Sequence, residues 1–176
     1  MFKIRLELVP KSSMKDPSWQ VKDVRLQDLN SNEVLKFDFD RWLSREEDDG
    51  EIMRELPVQR PGETVLPVHH YMVTVYTGKE LGSETDAPVY ITVHGEKGDW
   101  GKRYLRNSNN NTKFRIGQVD VFYIEAVSLG KLQRCVIGHD GTAAGEGWCL
   151  DQIVIKEHEH ASEEYVFPCN SRNNDQ

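Results

Sequence analysis

The chain has 176 residues, 38% apolar and 29% charged, enough for one large domain or one domain plus a fragment. Its net charge is −7, with −3 over residues 1–66 and −4 over the rest, so it lacks the basic face that nucleic-acid phosphates require. Three cysteines, Cys135, Cys149 and Cys169, make an odd, sparse set that suggests reduced thiols and a cytoplasmic setting. The opening residues carry no apolar run long enough for a signal peptide or a membrane span.

Phe2, Ile4, Leu6 and Leu8 alternate with Lys3, Arg5 and Glu7, which predicts a half-buried strand. Lys11 to Pro17 is a polar turn, and Trp19 opens a second strand with Val21, Val24 and Leu26 as its apolar set. Asp28 to Asn32 turns the chain into a third strand, where Leu35, Phe37 and Phe39 share one face. Residues 44–67 change character. The acidic run Glu46-Glu47-Asp48-Asp49-Gly50 and the prolines Pro57, Pro61 and Pro67 read as a linker, with an acidic docking patch as the alternative.

From Tyr71 onward, short alternating segments are separated by glycine-rich or polar loops. Strands are expected over residues 71–76, 89–94, 102–105, 119–126, 132–137, 150–156 and 165–167, with almost no helical period. That pattern predicts an all-β fold, an antiparallel β-sandwich. Asn110-Asn111-Thr112 matches a glycosylation sequon, but without a secretory signal it carries little weight.

The chain also resembles itself. Trp19-Gln-Val-Lys-Asp-Val-Arg-Leu26 is similar to Trp148-Cys-Leu-Asp-Gln-Ile-Val-Ile155 at an offset of 129 residues. Leu35-Lys36-Phe37 is similar to Tyr165-Val166-Phe167 at an offset of 130. The expected organisation is therefore the C-terminal part of one unit over residues 1–43, a linker over 44–67, a complete unit over 68–170 and a polar tail over 171–176. A part that lacks its opening strands has exposed edges and half a core, and should be marginal by itself.

Six stretches together resemble a known family. They are Tyr71 to Gly78, Glu84 to Ile91, Phe114 with Gly117-Gln118-Val119-Asp120, Ile137-Gly138-His139-Asp140-Gly141, Gly147-Trp148, and Phe167-Pro168-Cys169-Asn170. They look like a PLAT domain, the lipoxygenase homology (LH2) β-sandwich. The resemblance implies two four-stranded antiparallel sheets and a non-catalytic module. Its partners would be proteins or a membrane lipid surface, with no nucleic acid and no small-molecule substrate. The wording of residues 137–141 and the repetition are most similar to members built of many PLAT copies. This implies tethering of membrane-associated complexes in a cytoplasmic, membrane- or cytoskeleton-associated setting, stereocilia included. The alternatives are a calcium-assisted lipid-binding domain and the accessory domain of a lipoxygenase- or lipase-type enzyme. The helical, iron-ligating catalytic body of lipoxygenases has no counterpart here.

No cofactor is required by this reading, and calcium is the one the loops allow. A hard cation wants several oxygens from loops rich in acids and carbonyls. The loop before Val89 offers Glu84, Thr85 and Asp86, and the loop before Trp148 offers Asp140 and Glu146. By resemblance, calcium-binding members use the position of Asp86, its two predecessors and the acid that Glu146 replaces. They normally add acids just before Gly117, where this chain has Lys113 and Arg115. Two cations there repel a third, so a weak or absent site is expected. The competing assignment is that Thr85, Asp86 and Asp140 only cap turns.

Trp100, with Lys102 and Arg103, sits in a glycine-flanked loop and suits a membrane interface or a partner pocket. The competing arrangement folds the ring back over a sheet edge as a core residue. Trp19 and Trp148 open equivalent strands and are expected in the core. His69-His70 and His158-Glu159-His160 lack the convergent ligands that zinc needs and read as solvated loops, while His139 reads as structural. Cys135 and Cys149 fall on strands, as small buried hydrophobes.

Overall fold

The computed structural model describes residues 2–141 and 147–173, and they contain twelve strands and no helix. The chain divides into two compact units, Met1–Val68 with Glu125–Val127, and His69–Ile124 with Ser128–Gln176.

The first unit holds β1 (Lys3–Glu7), β2 (Trp19–Gln27), β3 (Val34–Leu43) and β4 (Met53–Pro57). β1 pairs antiparallel with β4, and β2 with β3. Strand alternation sends Leu35, Phe37 and Phe39 to one side of β3, where they pack with Val21, Leu43 and Val58 against Ile4, Leu6, Val24 and Leu56. The expected linker is thus a structured connection. Ser44 Oγ accepts from the backbone N–H groups of Glu46 and Glu47 at 3.1 and 3.2 Å, and Asp48 Oδ2 accepts from Trp42 N at 2.9 Å. The acidic run is a capped turn leading into β4. β4 itself looks polar in sequence, yet Glu55 is buried between Lys3 Nζ (2.9 Å) and Arg5 Nε (2.8 Å) of β1. Paired charges satisfy each other inside, so a charged segment can be a core strand.

The second unit holds β5 (Val68–Thr77) from His69 on, β6 (Val89–Gly95), β7 (Gly98–Asp99), β8 (Arg103–Tyr104), β9 (Val119–Val127) as far as Ile124, β10 (Leu132–His139), β11 (Trp148–Lys156) and β12 (Tyr165–Asn173). They form two four-stranded sheets. One is ordered β10-β6-β7, with β8 also paired to β6, and the other is β12-β11-β5-β9. The ladders β10–β6, β6–β7, β6–β8, β11–β12 and β11–β5 are antiparallel. Tyr71, Val73 and Val75 of β5, Ile91 and Val93 of β6, Phe122 of β9, and Leu150, Ile153 and Ile155 of β11 are buried between the sheets. Tyr71 Oη accepts from Leu129 N at 3.0 Å, and burial pushes its phenol up to about 12.

Two tryptophan assignments change. Trp100 has 0% exposure and is a core residue, not a surface contact. The chain turns at Gly98, whose φ of 110° suits glycine, and β7 pairs back on β6. The indole then lands edge-on against Tyr71 at 5.3 Å. Arg103 is buried as well, its Nε donating to Trp100 O at 3.1 Å, which leaves Lys102 as the exposed member of that trio. Trp19, expected in the core, is 45% exposed, whereas Trp148 is fully buried. Trp148 is roofed by Phe114 at 5.2 Å and donates from Nε1 to Thr77 Oγ1 of β5 at 3.3 Å. Among the described residues β2 has only β3 as a strand partner, so Trp19 has no such roof.

Candidate interaction site at one end of the second unit

The loops over residues 78–88 and 105–118 are tied together. Gly117 N donates to Gly78 O at 2.8 Å, Thr77 N to Gln118 O at 3.0 Å and Thr85 N to Phe114 O at 3.2 Å. The first loop is anchored in turn by Cys149 N donating to Ser83 O at 3.1 Å. Short polar residues form both loops because they satisfy backbone groups locally.

Asp120 organises the second loop. Alternation along β9 sends it inward beside Phe122 and Ile124, so a carboxylate lies fully buried. Its Oδ1 accepts from Ser108 Oγ (2.8 Å), Gln118 Nε2 (2.9 Å) and Asn110 Nδ2 (3.0 Å), and its Oδ2 from Phe114 N (2.8 Å). In the sequence Asp120 stands in the motif Gly117-Gln118-Val119-Asp120 with no role assigned to it. An acid in phase with the inward apolar set of a strand was the available signal.

Among the described residues the candidate cation ligands are engaged separately. Thr85 is buried and turns its Oγ1 to its own turn, accepting from Ala87 N at 3.1 Å. Asp86 is engaged by the guanidinium of Arg115, which raises the arginine's pKa through that hydrogen bond. Glu84 keeps one buried carboxylate oxygen, Oε2, without a hydrogen-bond partner among the described residues. Glu146 lies outside the described residues. Among the described residues no three His, Cys, Asp or Glu side chains are grouped to hold a metal ion. Asp140 serves Tyr104, whose hydroxyl donates to it at 2.5 Å, and Lys102 Nζ at 3.1 Å; the Tyr104 bond and then the Lys102 contacts hold its carboxyl below the usual range.

The remaining candidates are structural. His139 Nδ1 accepts from Gly141 N at 3.2 Å. His158 and His160 are exposed in a turn, and His69 faces Glu157 at 3.8 Å. Burial pushes the Cys135 thiol up to about 12, away from nucleophilic character.

Between the two loops lies a groove of about 430 Å³. Ala87, Leu105 and Phe114 supply buried apolar lining, and Arg106, Lys113 and Arg115 supply cations, with Asp86 as the one carboxylate among the lining residues. Two apolar side chains project from the same loops, Leu81 at 89% exposure and Ile116 at 39%. The sequence points to Trp100 as the contact residue, yet it is Leu81 and Ile116 that protrude from these two loops. They are single residues in polar loops and carry no period.

The profile of the PLAT/LH2 domain matches residues 71–175. Lipoxygenase homology domain-containing protein 1 of Mus musculus is 38% identical over 154 residues, covering 86% of this chain and 7% of its own length. The Homo sapiens protein is 37% identical over 171 residues, covering 96% and 8%. Polycystin-1-like protein 3 of Mus musculus is 30% identical over 136 residues, covering 73% and 6%. The chain therefore spans less than a tenth of the length of these relatives. Among solved structures, the lipoxygenase Delta413-417:GS LOX superposes with a TM-score of 0.53 at 23% identity over 60% of this chain and 15% of its own. A coral 8R-lipoxygenase, for which calcium activation via a C2-like domain is described, superposes at 0.52 with 24% identity over 60% and 15%. These two likenesses bear on the fold alone. On the domain match and the identity to its relatives, the chain belongs to the PLAT/LH2 domain family.

Proposed function

We propose that the chain is a non-catalytic interaction module, a complete PLAT unit preceded by the closing part of another, that tethers membrane-associated complexes through the loop end of its second unit. The observation that carries this is the pairing of projecting Leu81 and Ile116 with a cation-lined groove in the same two loops. Apolar tips beside cations are the chemistry of docking to a protein or an anionic surface. The tandem reading has its own support. β2–β3 carries a register shift between Val21 and Asp23, and β11–β12 carries one between Leu150 and Gln152, which are the same positions at the offset of 129 residues. A bulge kept at one place is a feature of a particular hairpin. This reading puts the chain in a cytoplasmic, membrane- or cytoskeleton-associated setting such as stereocilia. The test is binding of the full chain to phosphatidylserine-containing vesicles and to acidic peptides, compared with Leu81→Asp/Ile116→Asp. Both substitutions fall on exposed tips, so folding should be unchanged while binding to at least one probe drops about tenfold. Equal binding of variant and wild type to both probes would remove the loop end from the account.

A second reading, calcium-assisted lipid binding, is favoured by the buried Glu84 oxygen that has no hydrogen-bond partner among the described residues. The guanidinium of Arg115 already occupies Asp86 and opposes it. Arg115→Ala should therefore raise calcium affinity about tenfold by removing a positive charge next to the candidate ligands. Calorimetric titration checks this, and the gain should vanish when Asp86→Ala is added. Identical heats for wild type and Arg115→Ala would retire the calcium reading. The accessory-domain alternative rests on the lipoxygenase likeness, which reaches no further than fold, and is not adopted.

A further inference from the structure

We infer that the groove walled by residues 85–89, 104–106 and 111–115 is a docking site for an extended acidic peptide of a partner protein. The inference rests on the interaction-module reading and names its partner class.

Charge is the first argument. The chain carries −7 overall, yet this groove gathers Arg106, Lys113 and Arg115 against the single carboxylate of Asp86. Among the described residues neither Arg106 nor Lys113 has an ion-pair partner, while Arg115 has Asp86. Such a local excess of cations on an acidic molecule attracts and orients a negatively charged partner.

The Arg115–Asp86 pair also displays the recognition chemistry. A carboxylate already sits on the guanidinium at the rim. The Asp86 side chain is largely solvent-exposed, so the pair is held weakly and a partner's carboxylate can replace it. Arg106 is braced differently, with its guanidinium 5.3 Å from the Tyr104 ring. That leaves its donors free to fork onto an incoming acid.

The apolar lining and the sheet edge favour a peptide over a bilayer. Ala87, Leu105 and Phe114 are buried in the recess behind the cations. Lipid phosphates lie in a plane and meet only the rim, whereas an extended chain places acids at the rim and apolar side chains in the recess on alternate residues. The wall residue Tyr104 belongs to β8, whose one strand partner among the described residues is β6. An added strand could therefore align there in the manner of β-augmentation. The recess of about 430 Å³ is within the range of pockets that hold small ligands or peptide side chains.

The test uses the full chain and a fluorescent peptide alternating glutamate and isoleucine, with lysine replacing glutamate in the control. Anisotropy should show saturable binding of the acidic peptide, weaker at higher salt, and none of the lysine peptide. Arg106→Glu/Lys113→Glu should weaken it at least about tenfold, since it reverses two of the three cations that line the groove. If that pair impairs folding, Arg106→Gln/Lys113→Gln should give about threefold in the same direction. Absent binding of the acidic peptide, or binding indifferent to both variants, overturns the inference. Phosphatidylserine vesicles are the parallel arm. Vesicle binding that the groove variants reduce, with no peptide binding, also overturns the inference but leaves the interaction-module reading standing. Silence of both probes removes both.

Discussion

Trp100→Ala is expected to destabilise the second unit by about 3–5 kcal/mol, the range for removing a large aromatic from a packed core. The indole has no exposed surface and lies edge-on to Tyr71 at 5.3 Å. Tyr71 in turn fixes the backbone at Leu129 through its hydroxyl, so a cavity beside it loosens a second anchor. The indole Nε1 is buried with no hydrogen-bond partner among the described residues. Part of the ring's packing gain is therefore offset by a desolvated donor. Trp100→Phe removes that donor and keeps much of the apolar volume, so it should cost less than half as much as Trp100→Ala. Denaturant unfolding of the full chain, followed by a probe in each unit, checks both values. If Trp100→Ala unfolds like wild type but loses vesicle or peptide binding, the ring is a surface contact and the core assignment fails.

The same residue shows where the sequence was legible and where it was not. Alternation exposed the strands whose inward positions are apolar, such as Leu35, Phe37 and Phe39, or Val89, Ile91 and Val93. It fails where inward positions are charged. Residues 44–67 read as linker from the acidic run 46–50 and the prolines Pro57, Pro61 and Pro67, but within them Arg54 and Glu55 are buried in β4, with Glu55 held by Lys3 and Arg5. That pairing is made across a ladder some 50 residues away in sequence and leaves no local trace. Trp100 and Trp19 are converse cases. Whether a tryptophan at a strand end is covered depends on its neighbours in space: Gly98 turns Trp100 inward, and among the described residues β2 lacks the second strand partner that β11 has in β5. Three of the family motifs, in Glu84 to Ile91, Gly117 to Asp120 and Gly147-Trp148, lead from a loop into the start of β6, β9 and β11, where residue type is constrained by backbone shape. The cationic groove was half visible. Lys113 and Arg115 stood out as misfits in a cation site, but their joining with Arg106 around an apolar recess is a product of loop packing.

Asp120→Ala should destabilise the second unit by about 3–5 kcal/mol and also disorder the groove, which separates it from a purely core substitution. Four donors, Ser108 Oγ, Asn110 Nδ2, Gln118 Nε2 and Phe114 N, converge on one buried carboxylate. Removing the acceptor strands Phe114 N and leaves the other three with only their second acceptors, Asn109 Oδ1 for Ser108, Val119 O for Asn110 and Thr112 O for Gln118. Phe114 N is buried and cannot recover its bond from water without opening the loop, and a buried unsatisfied donor costs about 1–3 kcal/mol. Phe114 has a positive φ of 56°, an unfavourable conformation for an aromatic residue that the surrounding bonds must maintain. Without Asp120 the strain is released by letting the 108–118 segment move, and Lys113 and Arg115 move with it. Asp120→Asn keeps one acceptor oxygen but adds donors that face other donors, so it should fall between wild type and alanine. Two readouts are needed. Denaturation gives the stability change, and amide exchange over residues 108–118 reports the loop. If exchange there is unchanged while stability falls, Asp120 acts only as a core residue and the groove is shaped by other contacts. If exchange rises together with loss of acidic-peptide binding, a single buried carboxylate sets the geometry of the cationic rim.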